Sequence, residues 1–440
     1  MLSPFFSPAR ARGMLTLFLC CALAAPTSVL AADLGMTLGE AQRLAALRSR
    51  QLAGIDAAVA ASREMAVAAG QRPDPVLKFG VENLPVSGDD KFSLTRDFMT
   101  MRRIGVMQEL TRSDKRHWRA EGFSRAADKA ASQKNLALAA IERDTAIAWL
   151  ERYYAQEMAS QITGLADQEK LEIDAAEGAY RGGRGSLADI LAARTALAMV
   201  GDRASEAGRR VRNAKTMLAR WTGAGADVPL AGQPPIDALR LEPGQLEALI
   251  ANHPRLAVMA KQEGVAQAEA KLAEADKKVD WTVEVAFLQR GPDYSNMASV
   301  GVSVPLQWNQ RNRQDRELAA KLAAVEQARA EREETQRMLA AEIRTMIEEW
   351  TNGRERIARF ERELLPLARD RTQAVLSAYR GGKATLSDVL AARRNETEVR
   401  LQELQLRLDT ARVWAALNYI FPISDSSTGA LQAPGKAHHE

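Results

Sequence analysis

The chain has 440 residues and is 46% hydrophobic but only 5% aromatic, a balance that favours long helices over one large globular core. Its net charge of +4 includes Arg10 and Arg12 of a leader without acids; taking those two away leaves +2, too little to argue for nucleic acid or any other polyanion as a partner. Both cysteines, Cys20 and Cys21, lie in that leader, so the rest of the chain offers no disulfide and no thiolate metal ligand.

Residues 1–31 read as a secretory signal: an Arg-bearing start, an apolar run over 14–25, and small residues before Val29-Leu30-Ala31. No lipobox precedes either cysteine, so an acylated N-terminus is not predicted. The run is too short to span a bilayer, and no other segment approaches the ~18 to 20 apolar residues a membrane helix needs. The protein is therefore either soluble after export or enters a membrane as strands.

A first repeat is predicted over 32–228. Residues 37–72 are free of proline and read as one helix that Pro73 and Pro75 stop. Residues 75–82 and 101–110 then read as a strand hairpin, with Ile104, Val106, Gln108 and Leu110 on one face. From 112 to 180 the apolar spacing at Leu136, Ala140, Ile147, Leu150 and Tyr154 predicts a very long helix, and 187–221 a returning one. A linker over 229–241 carries Pro229, Pro234 and Pro235.

The second repeat, over 242–423, follows the same plan. A helix is predicted over 242–278. Two strands follow, one presenting Trp281, Val283, Val285 and Phe287 and the other Val300, Val302, Val304 and Leu306. A long helix over 309–379 has Pro366 as its one expected kink or break, and 386–419 forms the return. The tail, 424–440, reads as disordered.

The repeats are tied together by one motif. Residues 179–194, AYRGGRGSLADILAAR, recur 199 positions later as AYRGGKATLSDVLAAR, with eleven of sixteen residues identical. Gly182-Gly183 and Gly381-Gly382 suit the left-handed position that ends a helix. Ser186 to Asp189 and Thr385 to Asp388 have capping-box spacing. Each copy is thus the tip of a helical hairpin, and its recurrence marks a duplicated unit.

The lengths agree with this plan. A helix of about 69 residues measures about 100 Å, and the two shorter helices of its half add up to about the same. Strands with one apolar face over ~9 to 11 residues suit a membrane barrel. Four strands leave open edges that lipid does not tolerate, and fall short of the ~8 of the smallest barrels. The barrel must be shared between chains. Three chains would give twelve strands, although the strand count excludes a monomer without choosing three chains over two or four.

The order of elements, the duplication and the two tips resemble the TolC-like outer-membrane efflux channels over nearly the whole chain beyond the leader. The resemblance implies a fold that is mainly α with a transmembrane β portion: long-helix coiled-coil units and four strands per chain, contributing to a shared twelve-stranded barrel and a periplasmic α-barrel. It implies a homotrimer whose tips dock a periplasmic adaptor (membrane fusion) protein and an inner-membrane RND-type pump, with outer-membrane lipid around the barrel and no nucleic acid. The stretch DFMTMRRIGVMQEL at 97–110, TRSDKR at 111–116, Asp74-Pro75 and Asn83-Leu84-Pro85 are most similar to members paired with heavy-metal and cation pumps.

By position, Asp189 and Asp388 match tip aspartates that narrow the periplasmic entrance, and Tyr379, with Tyr180 as its repeat, a tyrosine of the closed state. Ala384, beside Lys383, and Ala391 stand where some relatives carry a gate arginine and a second acid. Arg181, Gly182, Gly183 and Arg184, with Arg380, Gly381, Gly382 and Lys383, form the expected adaptor-docking tip. Capping is the structural role of the aspartates, and a solvated basic tip that of the cations.

Met99, Met101 and Met107 offer thioethers that suit soft metals, but their place in and beside a strand favours packing. His117 and His253 read as structural or surface residues, and His438-His439-Glu440 as an adventitious ligand set at most. No Gly-x-Ser-x-Gly, phosphate loop or His-Glu-x-x-His motif occurs, so no enzyme, cofactor or metal site is predicted. The alternative is a periplasmic adaptor or coiled-coil scaffold without a pore, which would not need a strand hairpin in both halves.

Overall fold

The computed structural model describes residues 35–183, 185–223, 225, 227–240 and 246–423. The leader, Arg184, the start of the second repeat before Leu246 and the tail after Ile423 lie outside these residues, so the readings made on them find no counterpart here.

In the unit that begins at Met36, the first repeat comprises α1 (Leu38–Arg48), α2 (Arg50–Ala69), β1 (Val76–Glu82), β2 (Met101–Leu110), α3 (Ser113–Arg181) and α4 (Leu187–Thr222). The second comprises α5 (Leu246–Ala251), α6 (Pro254–Asp276), β3 (Trp281–Gln289), β4 (Met297–Ser303), α7 (Gln314–Arg359), α8 (Leu365–Arg380) and α9 (Leu386–Asn418). Among the described residues no helix is long and apolar enough to cross a membrane.

Two helices expected to be continuous are broken, and the break expected at Pro366 takes the form of a π turn. The run over 37–72 splits at Ser49, whose backbone is extended and whose hydroxyl accepts the Leu52 N–H at 3.2 Å. A short polar side chain there caps a new helix instead of continuing the old one. Pro254 opens α6 at its first turn, with the His253 ring nitrogen accepting the Arg255 N–H at 3.0 Å. Before Pro366 the chain widens into a π turn, Phe360–Leu364, which accommodates the ring and the missing N–H where a plain α turn would clash. In addition, β4 ends at Ser303, so Val304 and Leu306 lie beyond the strand on which they were expected.

Helix α3, about 100 Å long, packs against α1, α2 and α4 of its own repeat and against α6 and α9 of the other. The two short helices of the first repeat thus line the long one, as their lengths require. A core of Trp149, Leu150, Tyr154, Leu218, Trp350 and Trp414 forms where the linker crosses the helices. Three indoles donate to chain carbonyls there: Trp149 to Met36 at 3.0 Å, Trp350 to Ile236 at 3.0 Å and Trp414 to Ala238 at 2.8 Å. Each satisfies a backbone acceptor that burial would otherwise strand.

The four strands make one antiparallel sheet in the order β1-β2-β3-β4, so β2 and β3 join the two repeats. Phe79 faces Ile104, which faces Phe287, which faces Ala298; Leu77, Val106, Val285 and Val300 occupy the same side.

Candidate functional site

The two tips are built alike. At the first, Gly182 and Gly183 donate back to Gly178 and Tyr180 at 3.0 Å each; at the second, Gly381 and Gly382 donate to Ser377 at 3.1 Å and Tyr379 at 3.0 Å. Gly183 and Gly382 have φ of +72° and +71°, the left-handed backbone that glycine adopts without strain.

Both capping boxes are closed. Asp189 Oδ2 accepts the Ser186 N–H and Oγ–H at 2.8 Å each, while the Asp189 N–H donates to Ser186 Oγ at 3.2 Å. Asp388 Oδ2 accepts from Thr385 N–H at 2.8 Å and Oγ1–H at 2.7 Å, and its own N–H donates to Oγ1 at 3.2 Å. These bonds hold both carboxyls below the usual aspartate range, led by the Ser186 backbone at Asp189 and by the Thr385 hydroxyl at Asp388.

The surroundings of the two copies differ. Tyr379, Leu386 and Leu390 pack with Ala176, Ile190 and Ala193, which sets the two tips side by side. Their repeats Tyr180, Leu187 and Leu191 are about half exposed, at 49, 56 and 54%. Among the cations of the tips, Arg181 reaches Glu177 at 3.9 Å and points largely to solvent, and Arg380 and Lys383 are exposed. Glu177 also receives Arg194 at 2.9 Å, closing the α3–α4 hairpin.

A groove beside the second tip is lined by Arg371, Ala374, Val375, Ala378, Ala384, Asp388 and Ala391. Ala384 and Ala391 leave it without the arginine and second acid that the resemblance would place there. Its guanidinium comes from Arg371 instead, which no motif marked. Behind the tips, Arg393 pairs with Glu172 at 3.2 Å, and Glu169, buried at 2% exposure, has an Oε2 without a hydrogen-bond partner. Desolvation pushes the Glu169 carboxyl up, against the pull of Arg394.

At the other end, one face of the sheet carries charges that periodicity alone did not single out. Arg103 bonds both Glu82 and Glu284, and Lys78 reaches Glu284 at 3.1 Å. The opposite face presents exposed apolar side chains, with Phe79 at 83% and Val300 at 72% exposure. Met101 and Met107 face Glu82 and Val76 and stand six residues apart on one strand, about 20 Å, too far to share an ion. Among the described residues no His, Cys, Asp and Glu cluster suits a metal. His117 stacks edge-on against Trp118, and His253 caps α6 with its pKa lowered to about 4, chiefly by burial.

The family model described as outer membrane efflux protein matches residues 246–420. The matched segment is less than half of the chain. It contains β3, β4, α7, α8, the second tip and α9, and the first repeat copies its plan. Comparison with curated proteins gives no match. Among solved structures, CusC is similar to this chain with a TM-score of 0.75 at 12% identity, covering 87% of this chain and 92% of that one. VceC of Vibrio cholerae, an outer membrane protein, gives 0.71 at 17%, covering 87% and 95%. The outer membrane channel MtrE of Neisseria gonorrhoeae, in its open state, gives 0.72 at 14%, covering 90% and 93%. The chain therefore has the fold of the TolC-like channels across both repeats.

Proposed function

We propose that the chain forms, as a homotrimer, the outer-membrane duct of a tripartite efflux assembly, passing substrate outward without chemistry of its own. One observation carries the reading: a single sheet presents apolar side chains from all four strands on one face and a Lys78, Glu82, Arg103 and Glu284 ion-pair network on the other. Lipid suits the first face and a water-filled lumen the second. An isolated sheet with these open edges would leave backbone groups unsatisfied in hydrocarbon, which is why the duct needs several copies.

The tips would meet at the periplasmic mouth. A periplasmic adaptor would dock on the glycine turns and their cations, and favour an open arrangement by binding it better than the closed one. Energy would come from an inner-membrane pump. For the substrate, the resemblance of residues 97–116 and of Asp74-Pro75 to members serving heavy-metal pumps favours metal cations. Reconstitution in planar bilayers tests the duct: discrete conductance steps are expected, and a purified assembly that leaves bilayers silent would sink it. Loss of tolerance to copper, silver, zinc, cobalt or cadmium in a deletion strain tests the substrate.

A further inference from the structure

We infer that a cavity behind the tips binds a small organic cation, an ammonium group on an apolar body, with the Glu169 carboxylate as its counter-ion. Helical spacing builds the walls. Leu165 and Glu169 stand one turn apart on α3, Ala196, Met199 and Val200 share a face of α4, and Arg394 comes from α9; together they bound a cavity of about 570 Å³. Its floor is apolar, with Leu165 at 4% and Val200 at 6% exposure, and Met199 stands at the open side at 61%.

Glu169 is the exception in that floor. Its Oε2 is buried and accepts no hydrogen bond from any described residue, and a carboxylate left so in a dry site calls for a positive partner. The nearby guanidinium groups do not supply it. Arg393 is held by Glu172 at 3.2 Å and Arg203 by Glu398 at 3.7 Å. Arg394 is exposed and acts on Glu169 through space, without a hydrogen bond.

The walls decide which cation fits. A hard metal ion takes several oxygen ligands, whereas the other acid of this lining is Asp202 on the exposed rim, and no His, Cys, Asp and Glu cluster among the described residues suits a metal. An ammonium is served by one carboxylate, to which it donates a charge-assisted hydrogen bond that a dry site strengthens. Leu165, Ala196 and Val200 suit an apolar body, and the Met199 thioether an aromatic one. A ligand seated there touches α3, α4 and α9, and so ties the two repeats together.

The test is calorimetric titration of the purified full chain with benzylammonium chloride at pH 7, with benzyl alcohol and sodium benzoate as neutral and anionic controls. Benzylammonium should bind ~tenfold or more tighter than either control, and Glu169→Gln, which removes the charge and keeps the shape, should weaken it by ~tenfold or more, the range of a hydrogen bond to a charged group. Thermal unfolding of that variant shows that it is folded. Arg394→Gln leaves Glu169 in place and should bind at least as tightly as the unaltered chain, since the guanidinium competes for the same carboxylate. Equal affinity for benzyl alcohol, or undiminished binding by Glu169→Gln, would overturn the counter-ion. No binding by the unaltered chain or by Arg394→Gln would overturn the site. Binding by Arg394→Gln alone would show that Arg394 itself fills the cavity, and would overturn the site as well.

Discussion

Arg393 on α9 meets Glu172 on α3 at 3.2 Å, an ion pair between the repeats just behind the tips, with 20% and 10% of the two side chains exposed. Removing either partner strands the other charge in a largely dry site. Arg393→Gln and Glu172→Gln should each cost ~2 kcal/mol, and the double variant clearly less than their sum. Thermal unfolding of the four proteins measures this; additive costs would mean that the pair does not hold the repeats together.

Asp189 and Asp388 cap helices, so any effect of their substitution on conductance must be separated from a frayed helix. Ser186→Ala and Thr385→Ala open the boxes while keeping the acids, and should cost ~1 kcal/mol each. Asp189→Asn with Asp388→Asn should in addition alter conductance or cation block in planar bilayers. Equal conductance in both double variants would leave the aspartates as caps alone. Both carboxyls sit below their ordinary 3.8. Their contribution to stability is complete above that value and is lost as pH falls through the lower folded-state values, so tip-selective proteolysis should rise only in strong acid.

Glu169 behaves in the opposite sense. Burial raises its carboxyl, so the charged form destabilises the fold at neutral pH and the penalty fades as pH falls through the raised value. Glu169→Gln should stabilise by ~1 kcal/mol at pH 7, the order of one unsatisfied buried group, and gain nothing near pH 4. A melting temperature that drops at pH 7 would show that the charge is used.

The sheet faces should respond differently to charge. Val285→Arg on the apolar face should cost ~2 to 4 kcal/mol of insertion and lower the yield of assembled protein in the outer membrane. Glu284→Gln on the charged face should leave assembly intact and shift ion selectivity, read from reversal potentials. Matching losses of assembly in both variants would contradict a lipid side and a lumen side.

Much of this was legible in the chain. The duplicated tips, their capping boxes and the alternation of β3 are local features, and local sequence decides them: hydroxyl and acid at capping spacing, glycine where φ is positive, valine at every second position. Other features were not. Nothing near Trp350 announces that its indole will meet the Ile236 carbonyl 114 positions away, and Arg371 carries no motif that would place it in the groove with Asp388.

Tyr180 and Tyr379 draw the boundary most clearly. The sequence by itself determined two hairpin tips with the same turn, the same cap and the same apolar pattern, because those depend on neighbours within a few residues. Only the tertiary structure decided that Tyr379 is packed on Ile190 and Ala193 while Tyr180 is half exposed. Burial is set by which helix lies alongside, and within one chain the second tip has the first as its neighbour.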